Sequence, residues 1–183
     1  GNIIPNDGFQ DPTFVDARAV ADDECLSADE FTLRAVHTPG HVSNHVCYLV
    51  EEDRMLITGD HVMGGSTVVI IPPAGDMAQY IRSLERLLDY DLAHLAPGHG
   101  GLIDGPHAEA RRLIAHRLER ERKVSDALAL AGPCPISTLV PIVYDDVAES
   151  LHKMAAKSLH AHLLKLVTDG RAHVDGEVWA SND

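Results

Sequence analysis

Three short segments combine histidine or aspartate with glycine in a pattern that suits metal-ion chemistry. They are His37-Thr38-Pro39-Gly40-His41, Thr58-Gly59-Asp60-His61 and Pro97-Gly98-His99-Gly100. Imidazole nitrogens and carboxylate oxygens are ligands of hydrolytic zinc ions, and one aspartate can bridge two metals that activate a water between them. Each segment alone is weak, since a Gly-Asp or Pro-Gly-His sequence is commonly just a turn. Together, in this order, the three predict a metal-dependent hydrolytic site.

Each segment follows a predicted strand, which would aim its side chains into a common cleft. Residues 31–36 alternate apolar and polar side chains, the period of a strand. Residues 45–50 and 54–58 form a predicted hairpin, and the apolar run 92–96 precedes the third segment. A helix with an apolar face runs from Met77 to Leu88 after the N-cap Asp76. The remaining predicted strands are short: residues 13–15 and 68–71. This order predicts an α/β fold.

The chain changes character at Pro106. The pattern predicts a long charged helix over 107–130, a short helix over 136–143 and a third helix over 147–168. A hairpin over 171–180 follows, built on an Asp-Gly turn. Three helices followed by a β-wing are typical of a winged helix-turn-helix. We therefore predict two domains, residues 1–105 and residues 106–183.

With its motifs in these positions, the sequence resembles the metallo-β-lactamase-fold hydrolases, and specifically the lactamase-beta-like branch that carries a C-terminal winged-helix domain. The resemblance implies that His41 binds a first metal ion, that His99 binds a second, and that Asp60 bridges both and is catalytic. It implies two divalent metal ions, with zinc expected and iron or manganese as alternatives. Three further histidines are expected to line the substrate pocket or support the ligands: His37, His45 and His61.

The HxHxDH signature of that family does not occur in the chain. The nearest string, His160-Ala161-His162, lies on a predicted helix, where residues i and i+2 do not share a face. We therefore expect a C-terminal fragment: the second half of an αββα sandwich followed by the winged helix, inactive alone and part of a binuclear hydrolase. A half sandwich exposes an apolar face, so we expect a homo-oligomer or association with the missing N-terminal half.

The charge distribution limits the classes of substrate that the site is expected to accept. The net charge is −13, and residues 1–105 carry 17 acidic against 5 basic side chains. Such a surface repels phosphate backbones, so a small ester or thioester suits the site better than RNA, and DNA binding is not expected. No stretch is long enough for a membrane helix, and three scattered cysteines favour a cytoplasmic protein.

Alternative functions remain open from the residues alone. The stretch HVSNHVCY, residues 41–48, also resembles glyoxalase II, a thioesterase. The chain could instead be a non-catalytic truncated binding or assembly module, or a winged-helix nucleic-acid binder. The basic stretch over residues 111–123 is expected to be a solvated helix face paired with Glu119 and Glu121, although an anionic substrate tail could use it.

Overall fold

A five-stranded mixed sheet carries the three glycine-containing segments. The computed structural model describes residues 18–182, and the strand predicted at residues 13–15 lies outside them. The strands lie side by side in chain order: β1 (Cys25–Ser27), β2 (Thr32–His37), β3 (Val46–Val50), β4 (Met55–Gly59) and β5 (His94–Pro97). Pairing is antiparallel from β1 to β4, whereas β5 pairs parallel to β4. The predicted hairpin over residues 45–58 is therefore confirmed.

The strand predicted over residues 68–71 is wrong. Val68 and Ile70 are buried, which explains the strand-like pattern, but these residues form a loop. The loop runs into Pro72 and Pro73, which have no amide hydrogen to donate to a sheet. Side chains instead take up its carbonyl groups, as the contacts of His41 and Arg117 below show.

Helix α1 (Met77–Arg86) covers one face of the sheet. Its N-cap is Asp76, whose carboxylate accepts a hydrogen bond from the Gln79 amide at 2.8 Å, as the sequence predicts. Tyr80 and Leu84 lie fully buried in the cluster formed with the strands. The helix continues into a single 3-10 turn at Leu87–Asp89.

The second part of the chain has the predicted order of elements. It consists of α2 (Pro106–Ala131), α3 (Ile136–Val143), α4 (His152–Thr168) and a hairpin of β6 (Ala172–Asp175) and β7 (Val178–Ser181). A 3-10 turn at Glu149–Leu151 replaces the predicted start of the third helix. Within residues 18–182, no helix combines the length and the hydrophobicity needed to cross a bilayer.

Helix α2 joins the two hydrophobic clusters of the molecule. Leu113, near its start, packs in the cluster of the sheet and α1. Val124 and Leu128, farther along, pack in the cluster of α3, α4 and the hairpin. One continuous helix therefore contributes to both clusters, the first through its start and the second through its later turns. The domain boundary at residues 105/106 stays a prediction.

The expectation of a solvated basic face on α2 is wrong for two of its arginines. Arg117 and Arg120 are only 4% and 8% exposed, because each donates to a backbone carbonyl and lies over a tyrosine ring. Glu121 is also buried and pairs with Lys165 and Arg171, which lie outside the stretch. The helical period from sequence does not show that α4 and the 67–69 loop cover this face.

Candidate active site

The topology brings the three segments to one edge of the sheet. Strand β3 is antiparallel to both β2 and β4, and β5 is parallel to β4, so β2, β4 and β5 point the same way. Their carboxyl ends therefore meet at one edge. There the Nε2 atom of His99 lies 3.6 Å from the Oδ1 atom of Asp60. Both side chains are largely solvent-accessible, which leaves their donor atoms available.

Glycine backbone packs the loops at this edge. The Gly98 amide donates to the Gly59 carbonyl at 2.9 Å, and the Gly64 amide donates to the His99 carbonyl at the same distance. Gly100 has φ +92°, and a Cβ atom there would lie 2.7 Å from the Cα atom of Gly64. A side chain at Gly100 would therefore push the His99 loop away from the loop that follows Asp60.

The His41 loop is held in a similar way by helix α1. Gly40 has φ +139°, and a Cβ atom there would overlap the backbone of Tyr80. The amide of Asp76 donates to the Gly40 carbonyl at 2.8 Å, which joins the helix start to the loop. The residue that follows, His41, is therefore presented from a backbone with little freedom to shift.

The ring of His41 is oriented by one backbone contact. Its Nδ1 atom lies 3.0 Å from the carbonyl oxygen of Val69, which can only accept a hydrogen bond. Nδ1 is therefore the donor in this contact, which leaves Nε2 as the nitrogen that can bind an ion. Protein histidines that bind metals usually have this arrangement, with the second nitrogen donating to a carbonyl or carboxylate.

His45 lies beside this group. Its Nδ1 atom is 2.8 Å from the hydroxyl oxygen of Thr38, and its Nε2 atom faces the backbone at Gly59. Burial and the nearby His41 lower the pKa of His45, and the Asp60 carboxylate only partly opposes them. His45 is therefore uncharged at neutral pH and can support the site without repelling a cation.

His61 is completely buried behind the site. Its ring centroid is 5.8 Å from that of His45 and 5.2 Å from that of Tyr80. Burial and its histidine neighbours lower the pKa of His61 to about 3, and the Ser83 backbone opposes this only weakly. Neither ring nitrogen has a hydrogen-bond partner of normal geometry. His61 is therefore a neutral, buried ring that packs against Tyr80.

His37 faces a different neighbourhood. Its Nε2 atom lies 3.0 Å from the Val20 carbonyl, its amide donates to Asp22, and its carbonyl accepts from Arg86. These contacts join His37 to the segment before β1 rather than to Asp60 and His99. Its role as a supporting residue of the site stays a prediction.

The residues at the edge suit a metal ion in chemical type but not in number. His41, Asp60 and His99 offer the nitrogen and oxygen donors that divalent zinc, iron or manganese accept. In the part of the chain that the structure describes, however, no group of three or more His, Cys, Asp or Glu side chains is placed to hold an ion. Cys47 adds no ligand, because burial raises the pKa of its thiol to about 12. A closed site needs further donors.

Sequence reasoning missed two residues that back the site. Tyr80 donates from its hydroxyl to the His61 carbonyl at 3.0 Å, and the guanidinium carbon of Arg117 lies 5.2 Å from the Tyr80 ring centroid. Arg117 also donates to the carbonyl of Val68, next to the residue that orients His41. The sequence pattern makes Tyr80 an ordinary apolar helix position and Arg117 a solvated one, so it carries no signal for either role.

Family models match both parts of the chain. The model described as the metallo-beta-lactamase superfamily matches residues 5–99, and the model of the beta-lactamase associated winged helix domain matches residues 136–179. The chain belongs to the metallo-beta-lactamase superfamily. Members of this superfamily typically bind metal ions. The predicted fold class and the winged helix are thereby confirmed.

Individual relatives agree with this assignment. The beta-lactamase-like protein 2 homolog of Drosophila melanogaster is 30% identical over 165 residues, which cover 89% of this chain and 55% of the relative. A protein of Aspergillus chevalieri named atrochrysone carboxyl ACP thioesterase is 33% identical over 159 residues, 82% of this chain and 50% of its own length. The chain thus spans about half the length of the curated relatives it matches. The name of the Aspergillus chevalieri relative indicates that the family contains hydrolases.

A solved structure shares the fold. A metallo-beta-lactamase family protein of Thermus thermophilus superposes with a TM-score of 0.77 at 24% identity, over 89% of this chain and 54% of that protein. A beta-lactamase domain protein of Burkholderia ambifaria gives 0.76 at 24% identity, over 90% and 52%. The sheet, the helices and the winged helix therefore recur together in known structures.

Proposed function

We propose that this chain provides part of the active site of a metal-dependent thioester hydrolase, with His41, Asp60 and His99 as metal ligands and Asp60 as the catalytic carboxylate. The observation that carries the proposal is the meeting of the three loops at one sheet edge, with Asp60 and His99 3.6 Å apart. Further donors must come from outside the described residues, since these alone do not close a site. When bound, divalent ions would polarise the acyl carbonyl and lower the pKa of an attacking water.

The chain's own residues would prepare the site for that chemistry. The Val69 carbonyl holds His41 in the tautomer that leaves Nε2 free. The Asp60 carboxylate lies within reach of His99 and can orient a water molecule or take up a proton. His45 stays neutral, so it adds no positive charge beside the cations.

A small acyl thioester is the substrate class we favour. The Aspergillus chevalieri relative is named a thioesterase, and an acidic first part of the chain is poorly suited to an RNA backbone. The partner we propose is therefore a small-molecule thioester or ester rather than a nucleic acid. Zinc is the proposed metal, and a cytoplasmic location is proposed with it.

The test uses the longest natural protein that contains this chain. We expect it to hydrolyse acyl-pantetheine thioesters, to lose this activity on treatment with a chelator, and to regain it with zinc, manganese or iron. Asp60→Asn and His99→Gln should each lower kcat/KM by at least ~100-fold, the upper end of what even a ligand's supporting partner costs. His173→Gln, on the exposed β6 strand, is the matched control and should have no effect.

Three outcomes decide the proposal. Activity that survives the chelator would contradict metal dependence. Full activity of Asp60→Asn would contradict the assignment of Asp60 as the catalytic carboxylate. Cleavage of RNA with no thioester hydrolysis would keep the site but overturn the substrate class.

A further inference from the structure

A groove separate from the Asp60–His99 pair lies between α2, α4 and the 67–69 loop. It encloses about 370 Å³, a volume within the range of small-molecule sites. Val147, Leu151 and Met154 line it on the α4 side, and Tyr144 lies at the end of α3. Leu151 and Met154 are 56% and 44% exposed, which is unusual for large apolar side chains at a concave surface.

The groove also contains a buried cation without a counter-charge. Arg117 lines it and is only 4% exposed. Across residues 18–182, no carboxylate forms an ion pair with Arg117, and its Nε atom has no hydrogen-bond partner. The Val68 carbonyl and the Tyr80 ring offer only partial compensation. A buried charge left unpaired is costly, so an anion in the groove would relieve a real deficit.

The two neighbouring arginines have no such deficit. Arg120 pairs with both carboxylate oxygens of Asp146, at 2.8 and 2.9 Å. Arg112 pairs in the same two-oxygen manner with Glu109, at 2.6 and 2.7 Å. Arg117 is therefore the exception among these three arginines.

Among the other polar residues of the groove, His116 does not supply a competing charge. Burial lowers the pKa of His116, and the guanidinium groups of Arg117, Arg120 and Arg112 lower it further, while Asp146 acts weakly in the opposite direction. His116 is therefore neutral near pH 7. The groove then carries one net positive charge, from Arg117, beside an apolar wall that includes Val147, Leu151 and Met154.

We propose that this groove binds an apolar monocarboxylate, with the carboxylate on Arg117 and the hydrocarbon chain along Val147, Leu151 and Met154. A singly charged, planar head matches one unpaired guanidinium, which can donate two parallel hydrogen bonds to it. An unbranched chain matches the apolar wall. The groove contains none of the proposed metal ligands, although Val69, whose carbonyl orients His41, is part of its wall. Its test requires no catalysis.

The first experiment titrates the full 183-residue chain with butanoate, hexanoate and octanoate by isothermal titration calorimetry. Binding should saturate at one site per chain and strengthen by about fourfold for each added methylene until the groove is filled. Octanol and octylammonium, of equal chain length, should bind at least ~10-fold more weakly than octanoate, because they lack the anionic head.

Variants then separate the head from the chain. Arg117→Met should weaken octanoate by ~10-fold and leave octanol unchanged, a combination that unfolding would not produce. Met154→Glu changes an exposed side chain, so the fold should survive, and it should also weaken octanoate by ~10-fold, because the new carboxylate repels the ligand's and interrupts the apolar wall. Leu130→Glu introduces the same charge at a residue that is 85% exposed and outside the groove, and it should bind octanoate as the unaltered chain does.

The proposal is overturned if octanoate shows no saturable binding, or if octanol binds equally well. It is also overturned if Met154→Glu binds octanoate normally. Sedimentation that shows a dimer dissociating in Met154→Glu would identify a second copy of the chain as the occupant, and would overturn the proposal as well.

Discussion

The loops at the sheet edge and the contact between α2 and α4 differ in how exposed and how well paired their charged side chains are. At the edge, the Asp60 and His99 side chains are 47% and 70% exposed and face each other at 3.6 Å. Between the helices, the Glu121 side chain is 7% exposed and has Lys165 3.1 Å from one oxygen and Arg171 3.4 Å from the other. The first pair leaves donor atoms free, whereas the second group uses its charges internally.

This difference indicates where each region gets its order. At the edge, backbone packing at glycines holds the loops that carry Asp60 and His99, so these two side chains can stay exposed. The helical contact is held by its side chains, including the buried charges. Variants that disturb backbone in the first region or charge in the second should therefore test the comparison most directly.

Gly40→Ala should have the largest effect on folding. The added Cβ atom would overlap the Tyr80 backbone, and φ +139° is a conformation that alanine adopts only with strain. We expect a loss of about 3 kcal/mol or more in the free energy of unfolding, measured by urea denaturation. Gly65→Ala is the control, since Gly65 has φ +77° with nothing near its Cβ position, and should lose about 1 kcal/mol. Equal losses would argue against backbone packing as the cause.

Glu121→Gln should have the next largest effect. It leaves Lys165 and the fully buried His162 beside a neutral amide, and we expect a loss of about 2–3 kcal/mol at pH 7. Burial acts to raise the pKa of Glu121, but hydrogen bonding to His162 and Lys165, with the charges there, leaves this pKa lowered.

The sign of the pH dependence follows from that lowered pKa. The stabilisation by Glu121 is present above the unfolded pKa of about 4.3 and is lost as the pH falls through the lower folded value. Denaturation between about pH 6 and pH 3, a range that brackets this change, should show the unaltered chain approaching the variant in stability. A constant difference across that range would contradict the assignment.

His162→Leu should act mainly on the pH dependence. Burial lowers the pKa of His162, Glu121 opposes this and Arg117 adds to it. The folded chain thus binds the proton less readily than the unfolded chain, and stability falls as the pH drops below about 6.5, by at most ~1.4 kcal/mol per pH unit for one group. The variant should show a shallower slope there. The exposed control His173→Gln should retain the original slope.

Arg122→Ala should have the smallest effect. Its contacts with Glu119 at 2.8 Å and Asp126 at 2.5 Å join side chains that are each more than half exposed. Such pairs contribute about 0.5 kcal/mol or less, and salt screens them. The loss should disappear in about 1 M sodium chloride, roughly ten times the ionic strength at which the Debye length is about 10 Å. A loss of several kcal/mol in the free energy of unfolding would mean that exposed ion pairs also stabilise the fold substantially.

Several elements could be predicted from local sequence because local energetics decide them. Helix α3 begins and ends where the sequence predicts, between Pro135 and the turn at Tyr144. Helix α1 follows from its Asp76 cap and its apolar face. The β6–β7 hairpin forms where it is predicted, but the predicted Asp-Gly turn is wrong by one residue: Asp175 pairs with Val178, so Gly176 and Glu177 make the turn. These features depend on neighbours within a few residues, which the sequence displays directly.

The sequence by itself determined the family, the order of the elements from β2 onward except at residues 68–71, and the three glycine-containing segments that carry His41, Asp60 and His99. Only the tertiary structure decided that Arg117 is buried and unpaired, that residues 68–71 form a loop, and that the contacts of His37 lie with Val20 and Asp22. Burial and charge pairing depend on which distant segments pack together. A helix or strand period reports which residues share a face, but not what covers that face.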